Sequence, residues 1–258
     1  MADLVFDEQD HLLQITLNRP SAHNAISNAM AEELYVELER AGRRRDLRAI
    51  IFTGAGERAF CAGADLKERR EMSPDEKWAQ RTRLWRINLL VWHLPQPAIA
   101  AIHGWCLGGG FELALACDFR IATEQSTFSF PEMSLGAYPG AGGPIFLPRL
   151  IGRARAKEIL FTARQVPADE ALALGIVEWL VPRAELLSRA RQLAEGFKRC
   201  SPLGVAGAKR LINQGSDLPI EVANDLNEAI RRPLEATKDY EEGIRAHYEK
   251  RQPVFRGE

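Results

Sequence analysis

Two short runs, Ala49–Thr53 and Ala98–Ile102, constrain the fold more than any other feature because they are almost entirely apolar. A strand with one face in water alternates apolar and polar residues, whereas a strand covered on both faces reads as a continuous apolar run. Strands of the second kind belong to parallel sheets with helices packed on both sides. The sequence therefore predicts an α/β fold with a buried parallel sheet.

Helical patterns surround these two runs. Residues 27–42 carry apolar side chains at helical spacing behind an Asn/Ser start and before Gly42. The segment Ser73–Glu76 combines an N-cap, a proline at the first helical position and a capping-box glutamate, so a helix should extend to about His93. Strands and helices thus alternate along the first part of the chain.

The remaining pattern predicts more strands and then helices alone. Apolar, β-branched segments bounded by turn residues predict strands at Leu4–Phe6, Leu12–Leu17, Phe119–Ala122, Thr127–Phe130 and Ile176–Val181, the first two forming an edge hairpin. A short helix is predicted at Phe111–Cys117, and the pattern is helical from about Ser201 to Lys250. We therefore expect residues 1–200 to form an α/β core that carries the functional site and residues 201–258 to form a helical region.

The charge balance excludes a general attraction to polyanions. Lys and Arg number 34 against 35 Asp and Glu, which gives a net charge of -1. The field of such a chain does not draw in nucleic acid or an anionic membrane, so binding of that kind would need a local patch.

Membrane and secretory segments are also not expected. The longest apolar stretches are far shorter than the roughly 20 residues of a membrane span, and Met1–Glu8 has no basic region followed by an apolar one. The predicted location is the cytoplasm. Four cysteines, none in a Cys-x-x-Cys pair, are expected to be reduced, buried and inert: Cys61, Cys106, Cys117 and Cys200.

Three consecutive glycines, Gly108–Gly110, lie between a buried strand and a helix. Without side chains they let a ligand oxygen approach backbone N–H groups at the positive end of the helix. The same residues also serve tight turns without any ligand. The glycines alone leave both interpretations open, but the G-x-G-x-x-G spacing and a Walker lysine are missing.

Two glutamates stand in apolar surroundings near these glycines. Glu112 lies in the first turn of the following helix, and Glu132 lies in Phe130–Met133, just before a second glycine-rich run. Glu112 could simply complement the helix dipole, but its apolar neighbours argue against a solvated role. Two acids beside an oxyanion site could act as base and acid.

Together these motifs resemble the crotonase (enoyl-CoA hydratase/isomerase) superfamily. The similarity extends nearly end to end and rests on several spaced motifs in one order: Asn18-Arg19-Pro20, Phe60–Lys67, His103–Glu112, Pro131-Glu132 through Gly143, and Glu249–Phe255. The resemblance implies a spiral of ββα units, a C-terminal helical trimerisation region, and assembly as trimers or dimers of trimers. It also implies an acyl-CoA thioester as substrate.

The resemblance further implies roles for individual residues. The N–H groups of Ala64 and Gly109 match the pair that holds the thioester oxygen, and Glu112 and Glu132 match the two catalytic acids. We assign the water to Glu112 and the proton for Cα to Glu132. The matched substrate-binding residues are Ala62, Gly63, Asp65, Leu66, Gly108 and Tyr138.

Members of the superfamily that keep both acids typically hydrate 2-enoyl-CoA thioesters, so hydration is the expected activity. Isomerisation of the double bond, or another acyl-CoA reaction, is the alternative. Pro144 follows the second glycine run where many members have a polar residue, which affects substrate choice more than reaction type. No metal or separate cofactor is expected, because the histidines show no ligand spacing and CoA is part of the substrate.

A second alternative is RNA binding, since one branch of the superfamily combines methylglutaconyl-CoA hydratase activity with affinity for AU-rich RNA. Two basic clusters bear on it: Arg43–Arg45, and the mixed set Trp78, Arg81, Arg83, Trp85 and Arg86. We expect the helix that carries the mixed set to present a solvated or subunit-facing side. Nucleic acid is therefore not expected as a partner.

Overall fold

The structure, a computed structural model, describes residues 2–258. Its strands are β1 (Leu4–Gln9), β2 (Leu12–Leu17), β3 (Ala49–Gly54), β4 (Ala59–Cys61), β5 (Ala98–Ile102), β6 (Trp105–Leu107), β7 (Phe119–Thr123), β8 (Thr127–Ser129), β9 (Val166–Pro167) and β10 (Trp179–Val181). Its helices are α1 (Asn28–Gly42), α2 (Leu66–Arg70), α3 (Pro74–His93), α4 (Gly109–Ala116), α5 (Gly143–Ile151), α6 (Arg153–Thr162), α7 (Ala168–Leu174), α8 (Leu186–Phe197), α9 (Pro202–Gly215), α10 (Ile220–Leu234) and α11 (Lys238–Tyr248).

The larger sheet has six strands in the order β1-β2-β3-β5-β7-β10, parallel except for the β1–β2 hairpin. In β3, Ile50 and Phe52 face the main core, whereas Ala49 and Ile51 pack toward Ala190 and its neighbours on α8. Both faces of the strand are therefore covered, which explains its continuous apolar run. The predicted α/β architecture with a parallel sheet is confirmed.

The smaller sheet has four strands in the order β4-β6-β8-β9. Consecutive strands alternate between the two sheets, because β3, β5 and β7 belong to the larger one and β4, β6 and β8 to the smaller one. Each strand pair in this pattern advances the chain by one turn of a spiral. The ends of β4 and β6 are parallel neighbours, so the segments that follow them lie side by side.

Several predicted boundaries shift by a few residues. The strand predicted at Ile176–Val181 begins only at Trp179, because the N–H groups of Ile176 and Val177 bond to the Ala171 carbonyl and close the end of α7. The helix predicted at Phe111–Cys117 begins at Gly109, and the strand predicted to end at Phe130 ends at Ser129.

The cysteine expectation is wrong at one position. Cys61, Cys106 and Cys117 are buried, but Cys200 is exposed because it follows the end of α8 in a short connection. No disulfide links the four thiols.

Helices α9, α10 and α11 make up the C-terminal helical region, as expected. Lys209 of α9 is 8% exposed, and its ammonium group bonds to Asp118 at 2.7 Å and to the Gln96 carbonyl at 3.0 Å. The helical region is thus attached to the sheet body by a buried ion pair. The division into residues 1–200 and 201–258 stays a prediction. Within residues 2–258, every helix is too short or too polar to span a bilayer.

Candidate active site

The segment after β4 crosses directly over the start of α4. Gly63 has a φ of +93°, and a Cβ atom at this position would lie 2.9 Å from the amide nitrogen of Gly109. Any larger residue would both strain the backbone and push the two segments apart. Glycine at position 63 therefore permits the close approach.

Two backbone N–H groups face this crossing without a partner in the described chain. The Gly63 carbonyl and the Asp65 N–H are both bonded to Ile26, but no bond from the Ala64 N–H is formed within residues 2–258. Gly109 is the first residue of α4, where an N–H group has no intrahelical acceptor. A Cβ atom at Gly109 would lie 3.6 Å from the Ala64 nitrogen. The two donors are neighbours, as an oxyanion hole requires.

Glu112 lies on α4, one turn after these donors, and is 3% exposed. Its Oε1 accepts hydrogen bonds from the amides of Ala141 and Gly143, each at 2.8 Å. The second glycine-rich run is therefore folded around this carboxyl group. The carboxyl group is directed into the site rather than into solvent, so the role of a mere dipole-complementing surface acid does not fit.

Glu132 lies in a short 3-10 turn, Pro131–Leu135, after β8. A Cβ atom at Gly108 would lie 3.1 Å from its Oε2, so the carboxyl group lies against the glycine that precedes α4. This buried oxygen has no hydrogen-bond partner within residues 2–258. A buried acid oxygen without a partner is costly unless it is protonated or used by a ligand.

Burial raises the pKa of both carboxyl groups above the ordinary range of glutamate. The charge of Glu132 raises the pKa of Glu112 further, while the amide donors of Gly143 and Ala141 act in the opposite direction. Two buried acids that repel each other lose their protons in two steps that belong to the pair. The pair can therefore hold one proton near neutral pH.

The other predicted binding residues divide into two groups. Gly63 and Gly108 lie at the crossing, and Ala62 is half-buried beside it. The carboxylate of Asp65 is bonded within the protein. It caps α2 by accepting a hydrogen bond from the Lys67 N–H, and it pairs with Arg19 at 2.8 Å. Its side chain anchors the segment that carries Ala64.

Two further predicted residues are exposed. Leu66, the first residue of α2, is 60% exposed, and Tyr138 is 63% exposed in the loop after Glu132. Neither side chain forms a hydrogen bond within residues 2–258, and their part in substrate binding stays a prediction.

One wall of the site was not anticipated. On α3, Arg81 lies against Gly140, Leu84 against Gly109 and Trp85 against Gly142, as the close approaches of these side chains to the glycines show. The side-chain amide of Asn88 bonds to the Ala141 carbonyl at 2.8 Å. The signal in the sequence was the spacing of these four α3 residues, which puts them on one helix face. Arg81 and Trp85 therefore face the glycine-rich loop, whereas Trp78 of the same mixed cluster is 66% exposed. The solvated or subunit-facing side expected for this helix stays a prediction.

Comparison with known proteins agrees with this geometry. The sequence profile of the enoyl-CoA hydratase/isomerase family matches residues 7–258. The chain belongs to this family. A relative from Bacillus subtilis (strain 168), whose name covers both hydratase and isomerase, is 43% identical over 250 residues, which are 97% of this chain and 96% of the relative.

Two further comparisons are close. A short-chain-enoyl-CoA hydratase of Clostridium acetobutylicum is 36% identical over 221 residues, which cover 86% of this chain and 85% of that protein. The crystal structure of an enoyl-CoA hydratase from Bacillus anthracis superposes with a TM-score of 0.96 at 41% identity and covers 100% of both chains. The crotonase-type fold expected from the sequence is thereby confirmed, and the family implies a CoA thioester as the substrate class.

Proposed function

We propose that this protein is an enoyl-CoA hydratase that adds water across the 2,3 double bond of a 2-enoyl-CoA thioester. One observation carries the proposal: the carboxyl groups of Glu112, which is buried, and Glu132, whose Oε2 is buried, adjoin two backbone N–H groups, on Ala64 and Gly109, that have no partner within residues 2–258. Hydration needs an enolate-stabilising donor pair, a base for water and an acid for carbon. All three fit this arrangement.

The donor pair would hold the thioester oxygen. Negative charge develops on that oxygen when water attacks Cβ, so the fixed N–H groups of Ala64 and Gly109 stabilise the transition state more than the substrate. Because Gly109 begins α4, the partial positive charge of the helix end adds to this effect.

The two acids would divide the proton transfers. Glu112 accepts a proton from water while the water oxygen forms its bond to Cβ. Glu132 donates a proton to Cα as the enolate collapses, and the proton held by Glu112 then restores Glu132. Two amide donors on Glu112 oppose the rise that burial causes in its pKa, which suits the base, and the unpartnered oxygen of Glu132 suits a protonated acid.

The substrate would supply its own CoA, so we propose that the reaction needs no separate cofactor. The segment Ala62–Ala64 would lie along the pantetheine, where small residues permit close approach, and Leu66 would extend this path. In the described part of the chain, no group of three or more His, Cys, Asp or Glu side chains is arranged to hold a metal ion.

Isomerisation is the alternative within the family, and the Bacillus subtilis relative carries both activities in its name. An isomerase can work with Glu132 alone, moving one proton between carbons. The engagement of Glu112 by two amides of the glycine-rich loop favours hydration, because a bystander would not need such exact support.

RNA binding gains no support from the basic cluster at residues 43–45. Arg44 pairs with Glu8 and Asp46, and Arg45 bonds to the Gly257 carbonyl, which leaves Arg43, 81% exposed, as the one loosely held cation of the three. Guanidinium groups engaged in this way are poorly available to phosphates.

The direct test is the loss of ultraviolet absorbance when crotonyl-CoA is mixed with the purified protein, because hydration removes the conjugated double bond. Mass spectrometry should show a product heavier by one water. Conversion of 3-enoyl-CoA to 2-enoyl-CoA without hydration would instead establish the isomerase.

A further inference from the structure

The α3 wall of the site presents one charged group. The four residues that face the loop and the donor pair are Arg81, Leu84, Trp85 and Asn88, spaced as a single helix face. Leu84 and Trp85 are apolar, and the Asn88 amide donates to the Ala141 carbonyl. Arg81 is the charged member of this face.

Arg81 is half-buried, with the Trp78 ring on one side and the glycine-rich loop on the other. Its guanidinium carbon lies 3.9 Å from the centre of the Trp78 ring. A Cβ atom at Gly140 would lie 2.4 Å from Arg81 Cδ, so the side chain is packed against the loop. A cation over an aromatic face keeps its orientation and charge.

No carboxylate of residues 2–258 neutralises this guanidinium. Arg81 forms neither an ion pair nor a side-chain hydrogen bond there, whereas Arg83, two residues later, pairs with Glu32 at 3.2 Å. The Arg81 side chain nevertheless adjoins the active site, because it packs against Gly140, the residue before the Ala141 amide that holds Glu112. A partly buried cation at a binding site is suited to recognise an anion on the ligand.

We propose that Arg81 selects a 2-enoyl-CoA whose acyl chain ends in a carboxylate. The inference rests on the proposed function, in which Glu112 acts at Cβ. Arg81 packs against Gly140, and the next residue, Ala141, donates its amide to Glu112, so the guanidinium lies on the loop that supports the proposed base. In the proposed binding mode the acyl carbons beyond Cβ would extend toward Arg81. The CoA moiety would extend past the donor pair, where α3 presents the apolar Leu84.

The test compares substrates that differ by one carboxylate. Hydration is measured with crotonyl-CoA and its 4-carboxy derivative, and binding is measured calorimetrically with the saturated pair, butanoyl-CoA and 4-carboxybutanoyl-CoA. The wild-type protein should favour the carboxylated member of each pair by about 10-fold or more. Arg81→Gln should lower kcat/KM and affinity for the carboxylated member by about 10- to 100-fold and change the neutral member less than 3-fold.

Arg83→Gln is the matched control, because it removes the same charge from the same helix at a residue that pairs with Glu32. It should leave kcat/KM for both enoyl substrates and affinity for both saturated thioesters unchanged. Equal loss on both substrates in Arg81→Gln would overturn the proposal, since Arg81 would then act through Glu112. Equal calorimetric affinity of the wild-type protein for the saturated pair would also overturn it. Absence of hydration of either enoyl substrate, with the difference in affinity retained, would refute the proposed function but support the role of Arg81.

Discussion

At the scale of single residues, Gly63 is the position of the proposed site where a side chain is least tolerated. Its φ is left-handed, and a Cβ atom added to it would lie 2.9 Å from the nitrogen of Gly109, one of the two proposed oxyanion donors. An added methyl group would have to displace one of these backbone segments. The geometry of the donor pair thus depends on the absence of a side chain at position 63.

Gly63→Ala should lower kcat for crotonyl-CoA by about 10²- to 10³-fold, the loss typical of one oxyanion donor. Gly175→Ala is the control, because Gly175 also has a left-handed φ of +79° but no atom within 4 Å of the added Cβ. Both variants should lose about 1–2 kcal/mol of stability from backbone strain. Equal kcat in the two variants would show that the close approach does not matter.

His103 is a buried titratable residue outside the two-acid site. It is 1% exposed, and neither ring nitrogen has a hydrogen-bond partner in the described chain. Burial, followed by the nearby charge of Arg183, lowers the pKa of His103 to about 4. This environment is that of a packed, uncharged residue rather than of a general base.

The lowered pKa predicts acid sensitivity. Between pH 6.5 and about 4 the unfolded chain binds a proton at His103 that the folded chain does not, so the free energy of unfolding falls as the pH falls through this window. His103→Leu should flatten that decline by up to ~3 kcal/mol in urea titrations at several pH values. Parallel pH profiles of the variant and the wild-type protein would contradict the assignment.

At the scale of elements, local sequence patterns predicted the features that depend on neighbouring residues, such as helix caps and buried strands. The capping box at Ser73 and Glu76 is present, and α3 ends at His93 as expected. The continuous apolar runs became β3 and β5, which are buried along their whole length. A helix cap and a strand buried on both faces can each be recognised from a few consecutive residues.

Other features depend on contacts between distant segments. The two-residue strand β9 exists because Phe128 pairs with Val166, which no local pattern reveals. The face that α3 turns toward Gly140 and Gly142 depends on how the second glycine-rich run folds around Glu112. The residues alone singled out Gly108–Gly110, Glu112 and Glu132. Only the resemblance to a family pointed to Ala64 and grouped both donors with both acids, because their proximity is a tertiary property.

The attachment of α9 gives a prediction at this scale. Lys209→Met would leave Asp118, whose side chain is 17% exposed, without its cation and should lower the free energy of unfolding by about 3–5 kcal/mol. Adding Asp118→Asn should recover part of this loss. Lys238→Met, which breaks an ion pair with Glu258 at the surface, is the control and should cause no measurable change. The check is urea unfolding followed by fluorescence.

At the scale of the whole molecule, the C-terminal helices present apolar side chains to solvent. Ile220 is 80% exposed, Tyr248 is 81% exposed and Val222 is 48% exposed. Large apolar side chains exposed to this extent are expected on a surface that meets another chain. We propose that these helices take part in a homotrimer or a dimer of trimers.

Light scattering at micromolar concentration should give three or six times the chain mass of 28.9 kDa. Dilution over two decades should not change the value, because the interfaces of obligate homo-oligomers are large and apolar. A stable monomer throughout the series would refute the assembly.

The central claim is that Glu112 and Glu132 act together in hydration, and replacement of each by Gln tests it most directly. Glutamine keeps the size and hydrogen-bonding atoms but cannot transfer the proton. We predict that each single variant loses about 10²- to 10⁴-fold in the rate of crotonyl-CoA hydration while CoA-thioester affinity is largely kept, and that the double variant loses less than the product. In deuterated solvent, Glu132→Gln should also suppress exchange of the product α-proton. Near-full hydration by Glu112→Gln would contradict the two-acid mechanism and leave the isomerase, with Glu132 working alone.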